Sequence, residues 1–177
     1  MPIGLTIAVV AVATILAFLA FVAAQADSFR ISRQRQLSAP PDKVFGLISD
    51  FHNWPLWSPW EKVDPDLKRS YSGAASGVGA VYDWSGNSKA GEGRMTILET
   101  TPAQQVKIKL EFIKPFTATN QITFQLTPAA GGTQVAWIME GHKNFLAKAM
   151  HLLMDMDKMI GKDFEQGLTN LNEASKQ

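Results

Sequence analysis

The chain contains no cysteine, which excludes a disulfide framework, a thiol nucleophile and any Cys-ligated metal. Charge is missing from its start: every Asp, Glu, Lys and Arg lies at or beyond Asp27. There is no excess of one sign either. The 17 basic and 16 acidic side chains nearly cancel, whereas a nucleic-acid partner would need a basic surplus gathered on one face. Histidine is scarce, and His52, His142 and His151 show no HxxxH or HExxH spacing, so no metal site is read from them. Ser58 and Ser85 lack the Gly-x-Ser-x-Gly setting of an activated nucleophile. The Gly-rich stretches 73–79 and 86–93 lack the strand–loop–helix setting of a phosphate cradle and read as hairpin turns. No cofactor is expected.

What is there begins with an uncharged apolar run from Ile3 to Ala24, in which Thr6 and Thr14 are the sole hydroxyl residues. A helix needs about 20 apolar residues to cross the hydrocarbon core of a bilayer. The run is therefore expected to be a transmembrane anchor, dividing the chain into an anchor over 1–26 and a soluble domain over 27–177. A cleaved signal peptide is the rival reading, since Ala24-Gln25-Ala26 has the small-x-small form of a cleavage site. Against it, no Lys or Arg precedes the run, and the run exceeds the roughly 7 to 15 residues of a signal core. Arg30, Arg33 and Arg35 follow the span. The positive-inside tendency then places the soluble domain in the cytoplasm, as part of a single-pass membrane protein.

The soluble part reads as strands between two helical regions. Phe29 to Leu37 is a first strand, stopped by Pro40 and Pro41. Pro41 suits the first turn of a short helix with Val44, Leu47, Ile48 and Phe51 on one stripe. Asp50 to Asp66 is rich in Pro and Trp and reads as an ordered loop with room for a helical turn. Then come Tyr82 and Trp84 on one face, Met95 and Ile97, and Val106, Ile108, Leu110 and Phe112 alternating with polar residues. Ile122, Phe124 and Leu126 follow, then Val135, Trp137 and Met139. Period-two alternation with no helical interruption predicts an antiparallel meander. From Asn144 to about Asn172 the period becomes helical, with Phe145, Ala149, Leu152, Leu153, Met156, Ile160, Phe164, Leu168 and Leu171 on one face. One long helix with the sheet wrapped around it is expected.

Three stretches carry a resemblance: Ser38-Ala39-Pro40-Pro41-Asp42-Lys43-Val44-Phe45, Trp54-Pro55-Leu56-Trp57-Ser58-Pro59-Trp60, and Met159 to Leu168. With the order of elements, they resemble the START-like helix-grip superfamily (SRPBCC) in its polyketide cyclase/dehydrase-like branch, over Phe29 to Leu171. The resemblance implies an α+β helix-grip fold. It also implies an apolar small molecule or lipid held between sheet and C-terminal helix, without implying a set of catalytic residues.

The candidate cavity residues are Trp57, Trp60, Tyr82, Trp84, Met95, Phe112, Phe124, Trp137, Met139, Met156 and Ile160. Each has a blander reading. Trp54, Trp57 and Trp60 either plug the open end of the sheet as core or rim a cavity. Met150, Met154, Met156 and Met159 are core, or the adaptable wall of a pocket for varied apolar shapes. Gly161 and Gly167 are tolerated in the helix or permit a close approach. Asp83, Glu92, Arg94, Glu140 and His142 place a polar group in the cavity or form solvated strand faces. The leading expectation is a membrane-tethered binding module. The alternatives are a cyclase- or dehydratase-like enzyme and a non-catalytic interaction domain whose core is filled by its own side chains.

Overall fold

A computed structural model describes residues 2–177. Helix α1 spans Ile3–Ala23 and lies almost wholly uncovered, with Val22 buried near its end. Its mean hydropathy of 2.8 and its 21 residues make it long and apolar enough to cross a membrane.

Seven strands follow: β1 (Ser28–Leu37), β2 (Lys68–Gly73), β3 (Ala80–Ser85), β4 (Glu92–Thr101), β5 (Gln105–Lys114), β6 (Ala118–Ala129) and β7 (Gly132–His142). They form one antiparallel sheet in the order β1-β7-β6-β5-β4-β3-β2. The predicted meander is present, and the register explains its two faces. Val106 pairs with Phe124, Ile108 with Ile122, Phe124 with Trp137 and Ile122 with Met139. These side chains share the inner face. Asp83 opposite Arg94, Glu92 opposite Lys114 and Arg30 opposite Glu140 share the outer one, each pair an ion bridge across neighbouring strands. Strand β2 was not anticipated; its burial is slight throughout, and so it lacks the alternation that marks the others.

Between β1 and β2 lie helix α2 (Pro41–Ser49) and two short 3-10 turns, Phe51–Leu56 and Pro59–Lys62. A helix leaves its last carbonyls without intrahelical donors, and here the Trp-rich segment supplies them. Asn53 Nδ2 donates to the Gly46 carbonyl at 3.2 Å, Trp57 Nε1 to Leu47 at 3.1 Å and Trp54 Nε1 to Ile48 at 3.0 Å. The aromatic loop is thereby folded back onto α2, and both indoles are buried beneath it.

The expected single C-terminal helix is two helices, α3 (Phe145–Leu153) and α4 (Met156–Ala174). The correction has a local cause. Met154 is extended (φ −131°, ψ 136°), and the Asp155 carboxylate accepts from the Lys158 amide at 2.9 Å. Asp155 therefore caps a new helix rather than sitting within an old one. Asn144 caps α3 in the same way through the Ala147 amide at 2.8 Å. The break also corrects the expected stripe. Phe164, Leu168 and Leu171 of α4 are buried against the sheet, whereas Phe145, Leu152 and Leu153 of α3 are exposed.

Helix α4 runs alongside β1 in the same direction. Arg33 reaches Asp157 and Glu165, both at 2.9 Å, Arg35 reaches Thr169 at 3.0 Å, and the Ser38 amide meets Asn172 at 2.9 Å. Gly161 makes this possible, since a Cβ there would lie 1.9 Å from the Arg33 guanidinium. The sheet thus has two ends. The near end carries α1, Ser28, His142 and α3. The far end carries Leu37, α2 and the end of α4.

Candidate functional site

The inner face of the sheet is not equally filled along its length. At the far end, Val44 and Ile48 of α2 and Leu168 and Leu171 of α4 close over Ile97, Val106, Ile108, Leu126 and Val135, all of them buried. Towards the near end, the same rows run out into a cavity of about 180 Å³. Tyr82 and Trp84 of β3, Met95 of β4, Leu110 and Phe112 of β5, Ile122 of β6, and Trp137 and Met139 of β7 form its sheet wall. Ile160, Asp163 and Phe164 of α4 face them, and Trp54, Ser58, Trp60 and Glu61 close one side.

Aromatic packing holds this wall in place. Trp137 lies flat on Phe164, 4.4 Å between ring centres and 6° between planes, with Trp57, Trp60 and Phe124 packed around it. Gly167 permits the stack, because a Cβ there would sit 2.6 Å from Trp137 Cζ3. Gly93 does the same for Trp84, whose Cη2 would lie 2.3 Å from an added Cβ. Both glycines mark close approach of an indole, and both indoles line the cavity.

Four polar features punctuate the apolar wall. Glu61 is buried, bridges Arg69 at 2.6 Å and accepts the Tyr82 hydroxyl at 2.7 Å. Burial and the adjacent Glu61 carboxylate push the Tyr82 hydroxyl far above its ordinary range, so it remains a neutral donor. Ser58 is buried at the same side. Asp163 makes no hydrogen bond or ion pair among the described residues, and burial raises its carboxyl above the usual carboxylate range, with Lys162 offsetting part of the shift. Finally, Trp137 is 1% exposed and its indole N–H has no hydrogen-bond partner among the described residues. A buried donor left unpaired costs about 1–3 kcal/mol, and Trp137 is one of the residues lining the cavity.

Of the eleven sequence candidates, Trp60, Tyr82, Trp84, Met95, Phe112, Trp137, Met139 and Ile160 come together around this cavity. Trp57 and Phe124 are buried behind it as core. Met156 lies in the first turn of α4, beside an open groove lined by residues 151–157, because the α3–α4 break moves it off the expected stripe. Met154 and Met159 are exposed. Asp83, Glu92, Arg94, Glu140 and His142 do not line the cavity; the first four form the outer-face ion bridges. The sequence reading passed over Glu61 and Asp163. Glu61 sits in an irregular turn with no periodicity to betray its direction. Asp163 directly precedes the buried Phe164, and its step of three from Ile160 placed it on the apolar face. Among the described residues, no three His, Cys, Asp or Glu side chains gather as metal ligands.

The comparisons with known proteins agree with this architecture. The family model described as polyketide cyclase / dehydrase and lipid transport matches residues 28–176. Among solved structures, a protein of Chromobacterium violaceum superposes with a TM-score of 0.61 at 17% identity, over 84% of this chain and 97% of that one. A protein of Mesorhizobium loti gives 0.60 at 19%, over 82% and 96%. The Aha1 dimer of Colwellia psychrerythraea gives 0.58 at 15%, over 82% and 95%. At these identities the likeness is one of fold. A comparison with curated protein sequences finds no match.

Proposed function

The chain belongs to the polyketide cyclase / dehydrase and lipid transport family, and from that premise we propose that it is a membrane-anchored binding domain for an apolar small molecule or lipid. The observation that carries the reading is the cavity at the near end, apolar on nearly every side, with Trp137 among its lining residues. A dry cavity of about 150 Å³ lined by aliphatic and aromatic side chains is enough to take up a benzene ring. The cavity here, about 180 Å³, suits one ring or a short stretch of acyl chain, and the rest of a longer ligand would lie in its mouth. Affinity would come from burial, at about 25 cal/mol per Å² of apolar surface. Direction would come from a ligand acceptor taking the Trp137 N–H.

In this reading residues 1–26 are the anchor and 27–177 the binding domain. The domain stands on the cytoplasmic side, by virtue of Arg30, Arg33 and Arg35 after the span. Native mass spectrometry of the full-length chain, gently purified from membranes, tests both parts. A reproducible bound apolar mass on an uncleaved chain is the expected result. An empty chain that also fails to take up a fatty-acid probe would contradict the binding reading. A mass lacking the first residues would contradict the anchor.

Asp163 favours a second reading, that of an enzyme. An unpaired carboxyl in an apolar wall, its proton held more tightly than usual, is the environment in which a general acid or base is tuned. It would act on a polyketide-like or aromatic substrate. If Asp163→Asn turns over every candidate substrate as well as the parent chain, this second reading falls.

A further inference from the structure

The near end of the sheet presents apolar side chains to the outside. Phe145, Leu146, Leu152, Leu153 and Met154 are exposed along α3 and its end, Leu153 at 75%. Ile113 at the end of β5 and Phe116 in the connection from β5 to β6 are exposed as well. The register gathers these segments at one end. Ser28 pairs with His142, Gly141 with Asn120, and Ala118 with Phe112. Exposed apolar patches of this kind mark a surface that meets another apolar body.

The same end holds α1. Val22 in its last turn is buried, α3 packs against it, and Lys148 of α3 donates to the Ala23 carbonyl at 3.0 Å while pairing with Asp27. His151 of α3 lies over Phe29, 5.2 Å between ring centres, which ties the helix to the start of β1. Depth follows from length. Helix α1 has 21 residues, about 31 Å at 1.5 Å per residue, against a hydrocarbon core of about 30 Å. Its last turn therefore lies where the hydrocarbon ends, and α3, packed on that turn, lies at the same level.

We infer that α3 and the β5–β6 connection are a bilayer-docking surface, which seats the near end of the domain on the membrane that α1 spans. The inference rests on the anchored reading of α1 given above. A lipid surface is the occupant because α3 packs on the last turn of α1, which sets its exposed apolar side chains at the level where the span ends, with the Lys148–Asp27 pair at their contact. Helices of this kind sit with their apolar face about 5–10 Å into the headgroup boundary. The cavity lies just behind this surface, and Phe112 of its wall is one residue from the exposed Ile113.

The absence of cysteine makes the test direct. Single variants Leu153→Cys, Phe116→Cys, Val12→Cys and Ala130→Cys, each labelled with an environment-sensitive fluorophore, are placed as full-length protein in phosphatidylcholine vesicles with brominated acyl chains. Val12 reports the span and Ala130 the far end. The inference predicts a blue shift and bromine quenching at Leu153 and at Phe116 approaching those at Val12, with Ala130 unquenched. Quenching at Val12 with Leu153 and Phe116 as wet as Ala130 would overturn the docking surface and leave the anchor standing. An unquenched Val12 would overturn the anchor and the docking surface together. Phe116 lies outside α3, so a label that disturbs α3 does not remove the second reporter.

Discussion

At the far end of the sheet Val106 and Ile108 are sealed; at the near end Leu110 and Phe112, the next two side chains of the same row on β5, stay half-covered. Trp84 of β3 is half-covered too, and on α4 Phe164, Leu168 and Leu171 are buried while Ile160 is not; on β4, β6 and β7 the near-end Met95, Ile122 and Met139 stay buried. Strand alternation is identical in the two halves. What differs is the lid. Helix α2, fastened by the indoles of Trp54 and Trp57, fills the far half. No equivalent plug covers the near half, because the Met154–Asp155 break lets α3 leave the sheet and pack on α1 instead. Hydrophobic alternation builds the wall of a binding site and of a core alike, and the connecting segments decide which it becomes.

The largest effect that would sharpen this comparison is a pair of truncations on one face of α4. Leu168→Ala removes a fully buried side chain and should cost about 3–5 kcal/mol. Ile160→Ala, two turns earlier beside the existing cavity, should cost about 1 kcal/mol, since little new void is made. Denaturant unfolding in mild detergent measures both, and equal costs would break the distinction between the halves.

Next in size is a pair of glycines. Gly167→Ala sets a Cβ against Trp137 and 3.2 Å from Pro59 Cδ. Its overpacking cost of about 1–3 kcal/mol should exceed the gain of about 1 kcal/mol in helix propensity. Gly46→Ala in α2 meets nothing within 4 Å, so there the propensity gain of about 0.5–1 kcal/mol should appear as added stability. Opposite signs in the two melting temperatures are expected. A stabilising Gly167→Ala would mean that the Trp137–Phe164 stack has slack.

The smallest effect concerns pH. The Asp163 carboxyl holds its proton more tightly in the folded chain than in the unfolded one. Folding therefore takes up a proton in the window between the ordinary carboxylate value and the raised one, and stability falls as pH rises through that window. Asp163→Asn should melt higher than the parent at neutral pH, with the gap closing below the ordinary Asp range. A gap that stays constant with pH would show that the carboxyl is solvated like any on the surface.

Most of the sheet was legible in the sequence because an antiparallel strand with one wet face writes its own period; β5 and β7 are the clearest cases. Strand β2 was not, since neither of its faces is well buried. The C-terminal break was hidden because Met154 and Leu153 continue an apolar period that the backbone does not follow. Of the site, the aromatic and methionine wall from β3, β4, β5 and β7 could be read from inward alternation. Met156 was misplaced by the unseen break. Glu61 could not be assigned from type or spacing, because what marks it is burial, whereas the step of three from Ile160 to the half-buried Asp163 was a signal in the sequence. Of the Trp trio, Trp57 is buried as core, and Trp54 and Trp60 are among the residues lining the cavity.

The central claim is that the near half holds an apolar ligand in a space the far half lacks. Quenching of the intrinsic tryptophans by a brominated fatty acid tests it most directly, since Trp60, Trp84 and Trp137 line the cavity. The parent chain should show saturable quenching, and Leu110→Trp and Ile160→Trp, each filling the cavity from one wall, should lose saturable binding while keeping the parent's far-ultraviolet circular dichroism. Saturable binding that survives both substitutions unchanged, or is absent from the parent, would contradict the account.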